Sequence, residues 1–192
     1  MPKHPALDTG DAVRQYVREQ LGEAVRDARH GWHWPALTTG GHSRIVVLRA
    51  LDEGGAEVTW YTDRRSDKVE QLARDGHCSL LFNNAAHRTQ LRLRGRAHED
   101  VDEQVRRTLW AGISPGAKSN YATLQAPGTP LSEASTGLPP AWPKLDAATE
   151  ARAFAHFAVY RTRVTSGDFL QLLDEGAYRS RWDGEGFRFV TP

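Results

Sequence analysis

Residues 89–99, TQLRLRGRAHE, set Gln90, Arg92, Arg94 and Arg96 against Leu91, Leu93, Gly95 and Ala97 in strict alternation. A period of two sends each set to its own face of a strand, so this segment belongs in a sheet with one apolar and one polar face. Neighbouring segments extend the sheet. SRIVVLRAL (43–51) is a β-branched run of the kind that forms a strand buried on both faces. The Glu53, Gly54, Gly55 cluster turns the chain into AEVTWYT, so strands 44–51 and 56–62 are expected to pair. ALTTGG and HCSLLFN add strands, and the C-terminal stretch from Phe154 reads as strands broken by turns at TSGD, DEG and DGEG.

Helical spacing is confined to short stretches. Val13, Val17, Leu21, Ala24, Val25 and Ala28 predict an amphipathic helix over 11–29, with Thr9 or Asp11 as its N-cap. Ser66 can cap a helix in SDKVEQLARDG that stops at Gly76, and Val101, Val105 and Leu109 give VDEQVRRTLWAGI an apolar face. Residues 114–150 carry Pro115, Pro127, Pro130, Pro139, Pro140 and Pro143, which predicts a long Pro/Gly-rich loop that could act as a lid. The sum is a mainly β chain with flanking helices, six or seven antiparallel strands in a small barrel. No strand, glycine-rich loop and helix unit of the dinucleotide-binding kind is present.

Composition bounds the function. A chain of 192 residues with 39% hydrophobic and 26% charged residues and a net charge of +1 reads as one globular domain over 1–192, not as a general polyanion binder. Neither a signal-peptide run nor a stretch of roughly 20 apolar residues occurs, so a cytoplasmic protein without a membrane span is expected. Cys78 lies in an apolar run and is expected to be buried and structural.

The eight histidines show no HxH, HExxH or CxxC pattern, so they are expected at the surface or an interface and no metal site is expected. No GxSxG elbow supports a hydrolase. The Arg92, Arg94, Arg96 face lacks interleaved aromatics, so an ion-paired strand face is expected and nucleic acid is not. WYTDRRSDK (60–68) is different, because Thr62, Ser66 and Lys68 crowd ahead of a helix start. A phosphate needs such convergent hydroxyls, cations and amide groups, and Arg44 would join them through the pairing of 44–51 with 56–62. A polar turn with an ordinary Ser N-cap describes the same residues, and local chemistry leaves both readings open.

In order and spacing, RIVVLR (44–49), WYTDRRSDK, CSLLFN (78–83) and TQLRLRG (89–95) resemble the pyridoxamine 5'-phosphate oxidase-like FMN-binding split barrels. The match covers about residues 36–99, and FLQLLDEGAYRSRW and FRFVTP resemble the closing strands more loosely. The resemblance implies a six- or seven-stranded antiparallel split β-barrel that forms a homodimer with FMN at the subunit interface. Arg44 and Lys68 would bind the FMN phosphate with Thr62 and Ser66, and the backbone of Ile45, Val46, Val47 and Leu48 would run beside the flavin with Tyr61. Gln90 would hydrogen bond to the flavin, and Arg181 would reach the cofactor from the partner subunit. Deazaflavin and haem binders share this barrel.

Two positions depart from the family pattern. Asp67 stands where the true oxidases usually place a second phosphate-binding Arg, with Arg64 or Arg65 as substitutes. Ala177, Tyr178 and Arg179 replace the Arg, one residue, His signature that grips pyridoxal phosphate. The central segment is more similar to the loop of a poorly characterised FMN-binding subfamily. The expected function is an FMN-dependent oxidoreductase moving a hydride between a small-molecule substrate and FMN, with Trp110 and Arg179 touching the substrate. The alternative is a flavin-binding or redox-sensing protein without turnover. Catalytic residues are not assigned.

Overall fold

The computed structural model describes residues 7–140, 142–143 and 146–192. The elements in chain order are α1 (Gly10–Arg26), β1 (Ala36–Thr39), β2 (His42–Ile45), β3 (Ala50–Leu51), β4 (Glu57–Asp63), α2 (Asp67–Asp75) and β5 (His77–Asn84). They are followed by β6 (Thr89–Asp100), α3 (Glu103–Ala111), α4 (Pro115–Ala122), α5 (Ala147–His156), β7 (Phe157–Leu173), β8 (Gly176–Asp183) and β9 (Gly186–Val190). All pairings are antiparallel, in the order β2-β1-β5-β6-β7-β4-β3, with β8 beside β7 and β9 beside β8. The mainly β architecture with flanking helices is as expected; the nine strands exceed the expected six or seven.

β2 and β3 end the sheet on opposite sides, yet only residues 46–49 separate them in sequence. The sheet must therefore curl until its ends lie within the span of that linker, about 17 Å for five residue steps. Backbone hydrogen bonds stitch the seam. The Val46 and Leu48 amides donate to Pro35 O (3.0 Å) and His33 O (2.9 Å) ahead of β1, whereas the Arg49 amide donates to Thr59 O of β4 (2.9 Å). This corrects the expectation of one strand over 44–51, because the chain changes partner between Leu48 and Arg49. Nor is the run buried on both faces: Ile45 is 60% exposed while Val46 and Leu48 are buried.

β7 carries a second junction. Its first part pairs with β4 and its last part with β8 on the same edge, while β6 follows the opposite edge throughout. The sheet forks at Val164–Ser166, so TSGD is not the expected turn but the point where β7 passes from β4 to β8. There the register with β6 shifts beside Gly95, and Thr165 Oγ1 donates to Arg94 O (3.2 Å). Gly95 admits this approach, since a Cβ on it would lie 2.1 Å from Arg163 O.

Two cores result. Val13, Val17 and Leu21 of α1 pack with Trp32, Leu37, Leu48, Trp60, Leu80, Phe82, Leu91 and Phe169 on one face of the sheet. Leu91, Leu93 and Ala97 all join it, as the alternation in β6 requires. Trp110, Tyr121, Ala122, Ala153, Phe157 and Val159 form the second core under α3, α4 and α5. Phe157 and Val159 alternate along β7 with Ala158 and Tyr160 of the first core, so the two cores lie on opposite faces.

Several local expectations change. α1 ends at Arg26 and not at residue 29, because Asp27 takes an extended conformation as its C-cap. Asp102 caps α3 by accepting from the Gln104 and Val105 amides, leaving Val101 outside the helix and 78% exposed. The expected loop over 114–150 contains α4 and the start of α5. Ser114 and Asp146 cap them, and Pro115 occupies the first helical position, where its missing N–H costs nothing. Cys78 is buried as expected. His33, expected at the surface or an interface, is buried within the chain, and its Nδ1–H donates to Ala24 O (2.6 Å). No helix among the described residues is long and apolar enough to cross a membrane.

The fork gives a direct test. Gly95→Ala is expected to destabilise the protein by about 2–3 kcal/mol in urea denaturation, since backbone must move to admit the methyl group. Gly116→Ala, in α4 with nothing within 4 Å, is expected to be neutral or stabilising.

Candidate anion and cofactor site

β4 ends at Asp63, and the four-residue step to α2 brings Thr62, Ser66 and Lys68 into contact. Lys68 Nζ donates to Thr62 Oγ1 (2.9 Å) and Ser66 Oγ (3.1 Å). Ser66 occupies the N-cap position of α2, but its hydroxyl makes no capping hydrogen bond and donates to Asp63 O (2.7 Å). The ordinary Ser-cap reading is therefore corrected in its chemistry, and the first-turn amides of α2 have no side-chain cap. Asp67 is exposed, with its carboxylate beside Gly128.

Arg44 reaches this group by a route other than the expected one. It pairs with Leu37 of β1, not with β4, and crosses to α2 by donating from Nη2 to Gln71 Oε1 (3.0 Å), while Nη1 donates back to His42 O of its own strand (2.9 Å). Burial first, then the charge of Arg44, hold the Lys68 pKa below its ordinary value against the pull of Asp63 and Asp67. Among the described residues neither cation forms an ion pair, and both are held by neutral oxygens. Two like charges that form no ion pair among the described residues repel one another, and the pull of Asp63 and Asp67 leaves room for a further anion between them. Arg64 and Arg65 are committed elsewhere. Arg64 is paired with Glu99, and Arg65 donates to Asp63 Oδ2 (2.7 Å) and Thr123 Oγ1 (2.9 Å).

The seam borders this cradle. Ile45 presents an exposed apolar side chain, and the Val47 amide has no backbone partner among the described residues. Tyr61 packs edge-on to Phe157 at 5.0 Å, and burial raises its pKa. Arg49, which the sequence reading did not single out, lies over the Tyr61 ring at 5.3 Å with its Nε buried and unpartnered. Burial pushes the nearby Tyr121 phenol up to about 12, against the pull of Arg49. Position in RIVVLR was the available signal, since Arg49 ends the same apolar run that Arg44 begins.

The remaining candidates lie apart. Gln90 is half-buried on β6 between Asn83 and Leu170, and its side chain makes no hydrogen bond among the described residues. Arg181 Nε donates to Asp168 Oδ2 (3.0 Å), and Arg179 donates to both carboxylate oxygens (2.9 Å each). Arg92 Nη2 is 3.0 Å from the same Asp168. Burial disfavours the Asp168 charge, yet the hydrogen bonds from Arg179 and Arg181 outweigh it and keep the carboxyl below its usual range. Ile45, Ala36, Leu81, Arg92, Asp168 and Arg181 form one cross-strand row from β2 to β8. Five strand spacings, about 24 Å along the curved sheet, separate its ends. Trp110 is buried in the second core, where its Nε1–H donates to Glu150 Oε1 (2.7 Å), which also accepts from Lys118. No cluster of three or more metal-ligating side chains occurs among the described residues.

A curled antiparallel sheet split at β7, with a cluster of cations and hydroxyls where β4 enters α2, is the architecture of a split-barrel protein. Residues 34–99 match the family model described as pyridoxamine 5'-phosphate oxidase, FMN-binding domain. The chain is 28% identical over 197 residues to a pyridoxine/pyridoxamine 5'-phosphate oxidase of Cupriavidus pinatubonensis, covering 91% of this chain and 85% of that protein. Among solved structures it resembles a pyridoxamine 5'-phosphate oxidase-related, FMN-binding protein of Nostoc punctiforme, with TM-score 0.70, 19% identity and coverage of 93% and 97%. PhzG of Burkholderia lata, solved with tetrahydrophenazine-1-carboxylic acid, gives TM-score 0.68, 20% identity and coverage of 93% and 91%. Residues 34–99 thus resemble the pyridoxamine 5'-phosphate oxidase FMN-binding domain, and the chain shares the fold of the split-barrel proteins.

Lys68→Met removes the repulsion with Arg44, so the ligand-free variant is expected to melt at the same temperature as the parent or higher. About 50 mM inorganic phosphate is expected to raise the parent's melting temperature by about 2–4 °C and to leave the variant unmoved. Equal shifts in a thermal melt would remove the anion assignment.

Proposed function

We propose that this chain binds FMN and is an FMN-dependent oxidoreductase, working in the cytoplasm as a homodimer with the cofactor at the subunit interface. The carrying observation is a pair of neighbouring cations, Arg44 held by Gln71 and Lys68 by Thr62 and Ser66, neither of which forms an ion pair among the described residues. Arg44, Lys68, Thr62 and Ser66 would hold the phosphate, with Asp67 exposed to solvent. The backbone of Ile45, Val46, Val47 and Leu48 and the Tyr61 ring would line the flavin, and the unpartnered Val47 amide offers it a donor. Gln90, with its amide uncommitted, would hydrogen bond to the ring system.

Arg181 would come from the second copy. Its place at the far end of the row that begins at Ile45 supports that reading, as do the exposed apolar Ile45 and Leu81 in the same row. FMN supplies hydride acceptance from a small-molecule substrate, with the electrons passed on to oxygen or another acceptor. The chain's own part is to orient and to exclude water. Arg49 would hold an anionic group of the substrate, with Arg179 joining it only on release from Asp168, whereas Trp110, bonded to Glu150 beneath the helices, would act by supporting that wall.

The purified protein is expected to carry flavin absorbance bands that bleach anaerobically with NADH, NADPH or pyridoxamine phosphate. Arg44→Ala and Lys68→Ala are each expected to weaken FMN binding about 10–100-fold, the loss of a charge-assisted hydrogen bond, with riboflavin affinity unchanged. Unaltered FMN retention in both variants would exclude the phosphate roles, and a bound flavin that no donor reduces would exclude turnover with these donors.

A further inference from the structure

We propose that His30 is a pH-sensitive latch on residues 46–48, so that acidification loosens the flavin-lining backbone and weakens cofactor binding. The consequence for the cofactor rests on the flavin reading above; the latch itself does not. His30 lies between α1 and β1, and its Nδ1 accepts a hydrogen bond from the Trp32 amide (3.1 Å). That bond requires Nδ1 to be unprotonated. The ring proton therefore sits on Nε2, which donates to Gln20 Oε1 (3.2 Å). His87 Nδ1 donates to the same oxygen (3.1 Å), Gln20 Nε2 donates to Glu23 (3.0 Å), and the His87 amide donates to Asn84 Oδ1 (3.1 Å). The network joins α1, the segment before β1 and the β5–β6 turn, where Asn84 Nδ2 also lies 3.4 Å from His87 Nδ1 and 3.5 Å from His30 Nε2, and the Trp32 amide fixes the proton on the His30 ring.

A second proton on His30 would set an N–H against the Trp32 N–H and remove its acceptor. Trp32 is 0% exposed and its indole Nε1 already lacks a partner, so water cannot replace the lost bond where the residue stands. The segment has to move. It is also the segment whose His33 and Pro35 carbonyls accept the Leu48 and Val46 amides, so its displacement releases one side of the seam.

The charged and titratable groups facing His30 are Glu23 of α1, Asp27 after it, His33 in the same segment and His87 from the β5–β6 turn. Burial is the largest influence and, against Glu23 and Asp27, leaves the His30 pKa below that of an ordinary imidazole. A depressed imidazole pKa stabilises the fold above the unfolded value, and that contribution is lost as the pH falls through the folded one. The latch is therefore closed at neutral pH and opens in acid.

Hydrogen exchange of the Val46 and Leu48 amides, corrected for intrinsic rates, is followed in the flavin-free protein from about pH 7.5 to about pH 5. Protection of both is expected to fall in step with the titration of the His30 ring by NMR. Over the same range riboflavin affinity is expected to drop about tenfold, with riboflavin used because the FMN phosphate itself titrates there. His30→Asn keeps an acceptor for the Trp32 amide and gains no proton, so its protection and affinity are expected to stay flat, while His87→Asn keeps the response. Protection that ignores pH, a response at a pH other than that of the His30 titration, or a response that survives in His30→Asn would overturn the latch. If no flavin binds at all, the proposed function fails and the exchange experiment still decides the latch.

Discussion

The amides of Leu48 and Arg49 are adjacent in the chain and donate to opposite ends of the sheet, one to His33 and one to Thr59. That divergence holds the curl of the whole structure. Each bond is worth only about 1 kcal/mol net, so hydrogen bonding defines the seam without being what chiefly secures it. Val46 and Leu48, buried against the core between α1 and the sheet, contribute about 1.5–3 kcal/mol each by leaving water. The seam consequently has one face anchored in the core and one face, Ile45 and Val47, turned outward beside the cradle. An anchored backbone with an open outer edge is what a planar ligand needs to lie against.

The cations around the candidate site fall into two groups with opposite electrostatic logic. Arg64, Arg65, Arg92, Arg179 and Arg181 are matched by Glu99, Asp63 and Asp168, which ties loops and strands together. Arg44 and Lys68 are matched only by carbonyls and hydroxyls, and Arg49 by the face of Tyr61. In a protein whose net charge is +1, such local separation sets where an anion can bind, since the overall field attracts little. The same division holds Arg64 and Arg65 in ion pairs with Glu99 and Asp63.

What could be read from the sequence followed from interactions short in range. The alternation in TQLRLRG, the Gly76 stop of α2 and the crowding of Thr62, Ser66 and Lys68 all survive, because each concerns residues within one strand, one helix turn or one loop. TSGD misled because glycine signals a turn and a fork equally well, and only the partner strands distinguish them. The prolines of 114–150 misled in a similar way, since Pro115 is a helix starter when Ser114 caps it. Trp110 carried no sign in its own neighbourhood that Glu150, forty residues on, would claim its indole.

The sequence by itself determined the sheet, the apolar face of β6, the family resemblance and the membership of the cradle around Lys68. Periodicity and loop chemistry are properties of the chain alone. Only the tertiary structure decided how Arg44 arrives there, through Gln71 of α2 instead of the β4 ladder, and that Arg49 stands over Tyr61 with no carboxylate to answer it. Those facts depend on where the sheet changes partner and which cations find acids. Contacts between residues distant in sequence settle both, so no local pattern encodes them.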